Sequence, residues 1–308
     1  MISILMATYN GEKYLKEQID SLLSQTFSDF TLWISDDVST DVTWDILTTY
    51  AQQYPEKINI SQRERNSGSP WPNFLDLMIS IKDDYIMLCD QDDVWLPDKI
   101  EKTLKKMQEM EKAYGSDMPI LVHTDLIVVD QDLQTLNASY KHAMNSDFCR
   151  TGFNQVLIQN TVTGCTAMYN RALGALLDAK PQYCVMHDWW LKLVASAFGK
   201  IGHLDDKTIF YRQHGKNEVG AKDVRRLSYK INRLLNGGSI KEAIRITYPQ
   251  AESFLTVYSK RLTDEQKSII RKYCSISQLG KWGRWRTIRE LKSLKSGISR
   301  NIAYFIFV

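Results

Sequence analysis

The sequence predicts a doubly wound α/β fold, mostly parallel in its sheet, with a helical C-terminal extension. Three observations lead there. Short apolar runs alternate with helical patterns over the first 130 residues, acidic clusters follow the second and fourth runs, and the chain after residue 221 is almost wholly helical in pattern. Residues 2–6 read as a buried strand, because a short, mainly apolar run marks a strand covered on both faces. Leu15, Ile19, Leu22 and Leu23 then mark one helical face up to about residue 26. A second strand covers 30–35, a polar turn 36–41, and a helix follows through Ile46, Leu47 and Tyr50. A weak strand at 58–61, a helix at 72–81 and a strand at 85–89 come next, and Pro97 opens a helix to about residue 112. Strands separated by helices imply parallel pairing through right-handed crossovers. Residues 119–129, 156–169 and 201–211 read as further strands and 188–198 as a helix, with Gly237-Gly238 and Gly280 punctuating the helices beyond.

Composition narrows the class. With 308 residues, 44% hydrophobic and 24% charged, the chain can bury a core without metal or disulfide staples, and it is not low-complexity disorder. The net charge of +3 hides an asymmetry: residues 216–308 hold 20 Lys and Arg against 7 Asp and Glu, so the rest is net acidic. That sign change near residue 215 predicts a catalytic domain over 1–220 and a basic helical region over 221–308. Five cysteines, odd in number and without a C-x-x-C pair, argue for reduced thiols in a cytoplasm. The opening M-I-S-I-L-M lacks the basic start of a secretory leader, and no apolar run reaches the length of a membrane span. The expectation is a soluble or membrane-adsorbed protein.

Ligands of open α/β sheets bind at the carboxyl ends of the strands. Asp36 and Asp37 follow the second strand, and Asp90-Gln91-Asp92-Asp93 the fourth. Gathering like charges beside apolar strands is costly unless a cation offsets it. Hard carboxylate oxygens suit Mg²⁺ or Mn²⁺, which bridge proteins to diphosphates. The competing reading makes these residues solvated turn formers and helix caps.

The segments I-S-I-L-M-A-T-Y-N-G, D-D-V-S-T-D, C-D-Q-D-D-V-W-L-P-D-K and H-D-W-W, in that order, resemble inverting family 2 glycosyltransferases of the GT-A fold. T-G-C-T-A-M-Y-N-R (163–171) and Y-R-Q-H-G-K-N (211–217) are similar to bacterial rhamnosyltransferases of cell-wall and surface-polysaccharide assembly. The resemblance spans roughly residues 1–220. It implies that Thr8 and Tyr9 line the nucleotide pocket and that Asp36 or Asp37 bonds the base. It also makes Asp92 and His214 metal ligands, with Asp90 near the ribose or the metal, and Asp188 the general base. The implied donor is dTDP-β-L-rhamnose and the acceptor a lipid-linked saccharide, with Mn²⁺ or Mg²⁺ as cofactor. A UDP-hexose donor, a nucleotidyltransferase and a non-catalytic scaffold are the alternatives. Val38 and Val42 stand where the family pattern has glycines, so the turn there must differ or be strained.

Trp95 and Trp189 are candidate sugar contacts, with core packing as the competing reading; Trp190 is expected in the core. Asp188 also suits a helix cap. In the tail, Lys281, Arg284, Arg286, Arg289, Lys292, Lys295 and Arg300 face a single Glu290, while Trp285, Ile288, Leu291, Leu294, Ile298 and Ile302 recur at helical spacing. Such a stripe over 281–308 suits an anionic membrane interface at the inner face of the cell membrane, or a homodimer contact. No nucleic-acid-binding motif accompanies it.

Overall fold

A computed structural model describes residues 1–214 and 237–308. In chain order the elements are β1 (Ile2–Thr8), α1 (Leu15–Leu23), β2 (Phe30–Asp36), α2 (Thr43–Gln53), β3 (Ile58–Gln62), α3 (Pro70–Ser80), β4 (Tyr85–Cys89), β5 (Val94–Trp95), α4 (Lys99–Tyr114), β6 (Ile120–Val129), β7 (Thr135–Asn137), α5 (Tyr140–Ala143), α6 (Phe153–Val156), β8 (Ala167–Asn170), α7 (Arg171–Gly174), α8 (His187–Phe198) and β9 (Lys200–Arg212). Among the described residues, five helices follow: α9 (Gly237–Arg245), α10 (Thr247–Tyr258), α11 (Asp264–Ser275), α12 (Lys281–Leu291) and α13 (Ile298–Phe307). The expected helical pattern of 221–236, the boundary near 215–220 and the last three residues of the 211–217 motif lie outside the described residues.

The chain divides into two units. The first comprises Met1–Tyr140, Val162–Asp178 and the segment from Gly199. Its sheet runs β3-β2-β1-β4-β8-β6-β9-β5, with β7 beside β6. Strands β3, β2, β1 and β4 are mutually parallel, in register Thr8 with Asp36 and Met6 with Cys89. Crossover helices explain this: α1, α2 and α3 each carry the chain back to start the next strand on the same side. Strand β8 pairs antiparallel with both β4 and β6, while β6 and β9 are parallel. Ile4, Met6, Leu32, Ile34, Met87 and Cys89 from the strands pack with Leu15, Ile19 and Leu22 of α1 in one core. Those three helical residues are the predicted face.

The second unit comprises Lys141–Thr161, Ala179–Phe198 and the C-terminal helices. Two stretches from within 1–220 thus pack with the basic region. Its core is aromatic: Trp190 of α8 lies 5.3 Å edge-on from Phe254, which lies 4.7 Å from Tyr258. Trp190 is fully buried, as expected. Thr263 and Gln266 close a reciprocal capping box at the start of α11.

Two expectations change. Residues 156–169 are not a strand: α6 ends at Val156, Gly164–Thr166 forms a 3₁₀ turn, and only Ala167–Asn170 pairs in the sheet. The tail stripe is also not one helix. Lys292 takes φ +50°, in the left-handed region, and ends α12 before α13 begins. Ile288 and Leu291 consequently face inward, while Ile298 and Ile302 are 81% and 54% exposed.

Candidate active site

In the order β3-β2-β1-β4 the connections diverge on either side of β1, so the carboxyl ends of β1, β2 and β4 open on a crevice edge. Thr8 ends β1, Asp36 ends β2, and Asp90-Gln91-Asp92-Asp93 follows β4. Tyr9 is 47% exposed there, whereas Thr8 is buried.

The loops after β1 and β4 are tied by one side chain. Gln91 Oε1 accepts the Tyr9 N–H at 2.9 Å, and Gln91 Nε2 donates to the Tyr9 carbonyl at 3.0 Å. This two-point pairing imitates a strand ladder. Gly11 makes room for it, since a Cβ at that position would stand 2.4 Å from Gln91 Oε1. The second tie runs to the turn after β2: Asn10 N–H donates to Ser39 Oγ at 2.9 Å, and Asn10 Oδ1 accepts the Thr40 N–H at 2.8 Å.

Asp36 is the hub of that turn. Its Oδ1 accepts from Thr8 Oγ1 at 2.9 Å and Ser39 Oγ at 2.6 Å, and its Oδ2 from the Ser39 N–H at 2.9 Å and Gln62 Nε2 at 3.0 Å. Four donors fill the roughly four acceptor positions of a carboxylate. Asp36 is thus fully engaged in holding the loop. Asp37 is similarly engaged, by the Ser67 N–H and hydroxyl and by Arg63 Nε at 3.1 Å. The loop 66–68 reaches the site through that contact. Val38 takes φ +63° and Val42 an ordinary −78°, so the glycine-less turn is strained at Val38 alone. A β-branched residue in the left-handed region costs roughly 1–2 kcal/mol, and the bonds of Asp36 to Ser39 across Val38, with the anchored Asp37 before it, hold it there.

Asp92 and His214 meet. Their Oδ2 and Nε2 atoms are 2.7 Å apart, and the side chains are 18% and 14% exposed. The His214 ring stacks on Tyr14 at 5.0 Å. Arg212, two residues before His214, is 2% exposed and gathers the surrounding loops. Its N–H donates to Asp93 Oδ1 at 3.0 Å, its Nε to the Asp92 carbonyl at 2.9 Å, and its two terminal nitrogens to the Gln131 carbonyl and to Glu17. Its guanidinium also lies 4.5 Å over the Tyr14 ring. Neither Arg212, Tyr14 nor Gln91 was singled out from the sequence. The available signal was an arginine closing the apolar run Ile209-Phe210-Tyr211 just before the motif histidine.

Two groupings offer cation donors. Asp90, Asp93 and Cys165 have ligand atoms within 4.8 Å of one another. Asp93 and Cys165 are fully buried; desolvation, then the charges of Asp92 and Asp90, holds the Asp93 carboxyl well above its usual range. Burial likewise pushes the Cys165 thiol well up. The Cys165 thiol is a soft donor and suits Mg²⁺ or Mn²⁺ less than carboxylate oxygens do. Asp92 and His214 offer a second, partly exposed carboxylate–imidazole pair. The structure thus joins Asp92 to His214 and groups Asp90 with the buried pair beneath.

Trp95 is 2% exposed, because β5 pairs it with Ile209 of β9. It packs in the core, with Lys99 Nζ 4.5 Å over its ring. In the second unit Asp188 occupies the first turn of α8 and is 9% exposed. Lys192, one turn later, is buried, and its Nζ donates to Thr161 Oγ1. Desolvation pulls the Lys192 pKa down to about 7, against the opposing pull of the Asp188 charge. Trp189 remains half-buried and donates its indole N–H to the Val156 carbonyl at 2.7 Å.

A doubly wound sheet with an acidic, histidine-backed edge is an architecture of the GT-A type, and comparison with known proteins agrees. The chain belongs to glycosyl transferase family 2, whose family model matches residues 3–173. It is 30% identical over 242 residues to the dTDP-rhamnosyl transferase RfbG of Shigella flexneri, covering 73% of this chain and 77% of that protein. Among solved structures, S. aureus TarS in complex with UDP-GlcNAc superposes with a TM-score of 0.54 at 17% identity, over 92% of this chain and 82% of that one. The mannosyltransferase PcManGT from Pyrobaculum calidifontis, in complex with GDP-Man and Mn²⁺, gives 0.50 at 14% identity, over 94% and 73%. At those identities the structural likeness concerns the fold.

Proposed function

We propose that this glycosyltransferase moves L-rhamnose from dTDP-β-L-rhamnose onto a lipid-linked saccharide acceptor, inverting the anomeric carbon in a single displacement. The observation that carries the reading is the Asp92–His214 pair, 2.7 Å apart, in the chain whose β1 ends at Thr8 with Tyr9 following. The 30% identity to a dTDP-rhamnosyl transferase supports the choice of donor. Asp92 and His214 would hold a Mn²⁺ or Mg²⁺ ion, with Asp90 a further carboxylate for the ribose or the ion. When bound, that ion supplies counter-charge for the departing diphosphate.

The other roles belong to the chain itself. Thr8 and Tyr9 border the nucleotide, with Tyr9 offering its exposed ring. Asp36 and Asp37 shape the base pocket by fixing the turn and the 66–68 loop. Asp188 accepts the proton of the acceptor hydroxyl as the new C–O bond forms, and its protonation state sets the nucleophile. Trp189 presents a half-buried indole to the acceptor.

Asp188→Asn tests the base. It removes the proton acceptor while keeping shape and hydrogen-bonding reach. Sugar transfer from dTDP-rhamnose is expected to fall about 10²–10⁴-fold, with dTDP affinity unchanged. Undiminished transfer would remove Asp188 from the mechanism.

A further inference from the structure

The C-terminal helices leave apolar side chains in the open. Trp282 is 80% exposed, and Ile298, Ile302 and Ile306 are 81%, 54% and 51% exposed. The three isoleucines are spaced four apart on α13, so they form one row, opposite the buried Ala303 and Tyr304. Between α12 and α13 lies a groove of about 720 Å³, lined by Trp282, Trp285, Leu294 and Phe305 together with Arg286, Arg289 and Glu290. Trp285 donates its indole N–H to the Phe305 carbonyl at 2.6 Å, which fixes the two helices to each other. Exposed large apolar residues beside one another mark an interaction surface.

Charge identifies the partner. Residues 281–308 carry seven Lys and Arg and one acidic residue, Glu290, which Arg286 engages at 2.7 Å. Lys281, Arg289 and Lys292 are exposed; Arg289 lines the groove, and the Lys281 ammonium lies 5.4 Å over the ring of the groove residue Trp285. Apolar side chains ringed by basic ones suit the headgroup boundary of an anionic bilayer, where aromatic and aliphatic groups enter the acyl region and the cations remain with the phosphates. A second copy of the chain fits poorly, because a two-fold contact would set this basic cluster against itself. We infer that Trp282, Ile298, Ile302 and Ile306, framed by Lys281, Arg289 and Lys292, form a docking surface for anionic lipid bilayers. This inference is independent of the donor and acceptor, since lipid binding is read without either.

The test is co-sedimentation of the full chain with vesicles of phosphatidylcholine alone and of phosphatidylcholine with 30% phosphatidylglycerol. Binding is expected to the anionic vesicles, at least tenfold tighter than to the neutral ones, and to weaken with salt. The variant Trp282→Ser/Ile298→Ser/Ile302→Ser alters exposed positions only. It is expected to lose at least tenfold in vesicle affinity with an unchanged melting temperature and circular dichroism spectrum. Arg289→Glu/Lys292→Glu is expected to abolish the preference for anionic lipid. Absence of vesicle binding, equal binding to both vesicle types, or a variant that binds as wild type would each overturn the inference. So would a wild-type dimer, seen by light scattering, that the serine variant dissociates.

Discussion

Arg212→Ala removes the side chain on which the metal-side loops converge. The guanidinium donates to the carbonyls of Asp92 and Gln131, pairs with Glu17, and covers the Tyr14 ring against which His214 stacks. Glu17 is 58% exposed, so that ion pair contributes about 1 kcal/mol or less. Two charged-donor hydrogen bonds at a buried site contribute about 1.5–3 kcal/mol each, and the stack adds about 1 kcal/mol. These terms share one side chain and do not add fully, so the expected loss is about 4 kcal/mol. Arg212→Lys keeps the charge but cannot reproduce the planar fork, and about 2 kcal/mol should be lost. Urea unfolding followed by circular dichroism measures both. Calorimetric titration with Mn²⁺ and dTDP then reports whether Asp92 and His214 have moved apart, with at least a tenfold loss of affinity expected even for Arg212→Lys. A stability change under 1 kcal/mol for the alanine variant, or wild-type affinity for the lysine variant, would refute Arg212 as the organiser of this edge.

The tie between Gln91 and Tyr9 makes a coupled prediction. Gly11→Ala displaces the Gln91 amide and should cost about 1–2 kcal/mol through its two lost hydrogen bonds; in a Gln91→Ala background the same change should be nearly neutral, and simple additivity in denaturation would contradict the tie. His187 predicts a pH dependence. Burial drags its pKa from 6.5 to about 3, so the unfolded chain takes up the proton first as pH falls. Stability present above pH 6.5 is then lost through the window from about 6.5 to 3, at up to about 1.4 kcal/mol per pH unit. His187→Gln should flatten the acid limb of stability against pH relative to wild type, and parallel limbs for the two proteins would exclude the assignment.

How much of this was legible in the sequence depended on how each segment is buried. Strands β1 and β4 are almost wholly buried and β2 alternates buried with half-buried residues, so all three read as mainly apolar runs, and the acidic residues after β2 and β4 were visible by position alone. The run Val156-Leu157-Ile158 looked the same, yet it sits in the helical unit after a single turn of helix; a short apolar run does not distinguish buried strand from buried helix. Trp95 followed the acidic motif and so suggested a sugar contact, but a two-residue strand pairs it into the core. The break begins at Lys292, and its glycine, Gly297 at φ +79°, comes only five residues later, so a periodic stripe continued through it on paper. Arg212 was the largest omission, because periodicity reads an arginine as surface and only the fold brings Asp92, Asp93, Gln131 and Glu17 around it.

The most direct measurement is calorimetric titration of the purified protein with dTDP, UDP, GDP and CMP in the presence and absence of Mn²⁺. Binding of dTDP in preference to the others, dependent on the ion and abolished by both Asp92→Ala and His214→Ala, is the expected result. A folded protein that binds none of the four nucleotides, or binds dTDP equally well without Asp92 and His214, would contradict the assignment of this edge as the donor site.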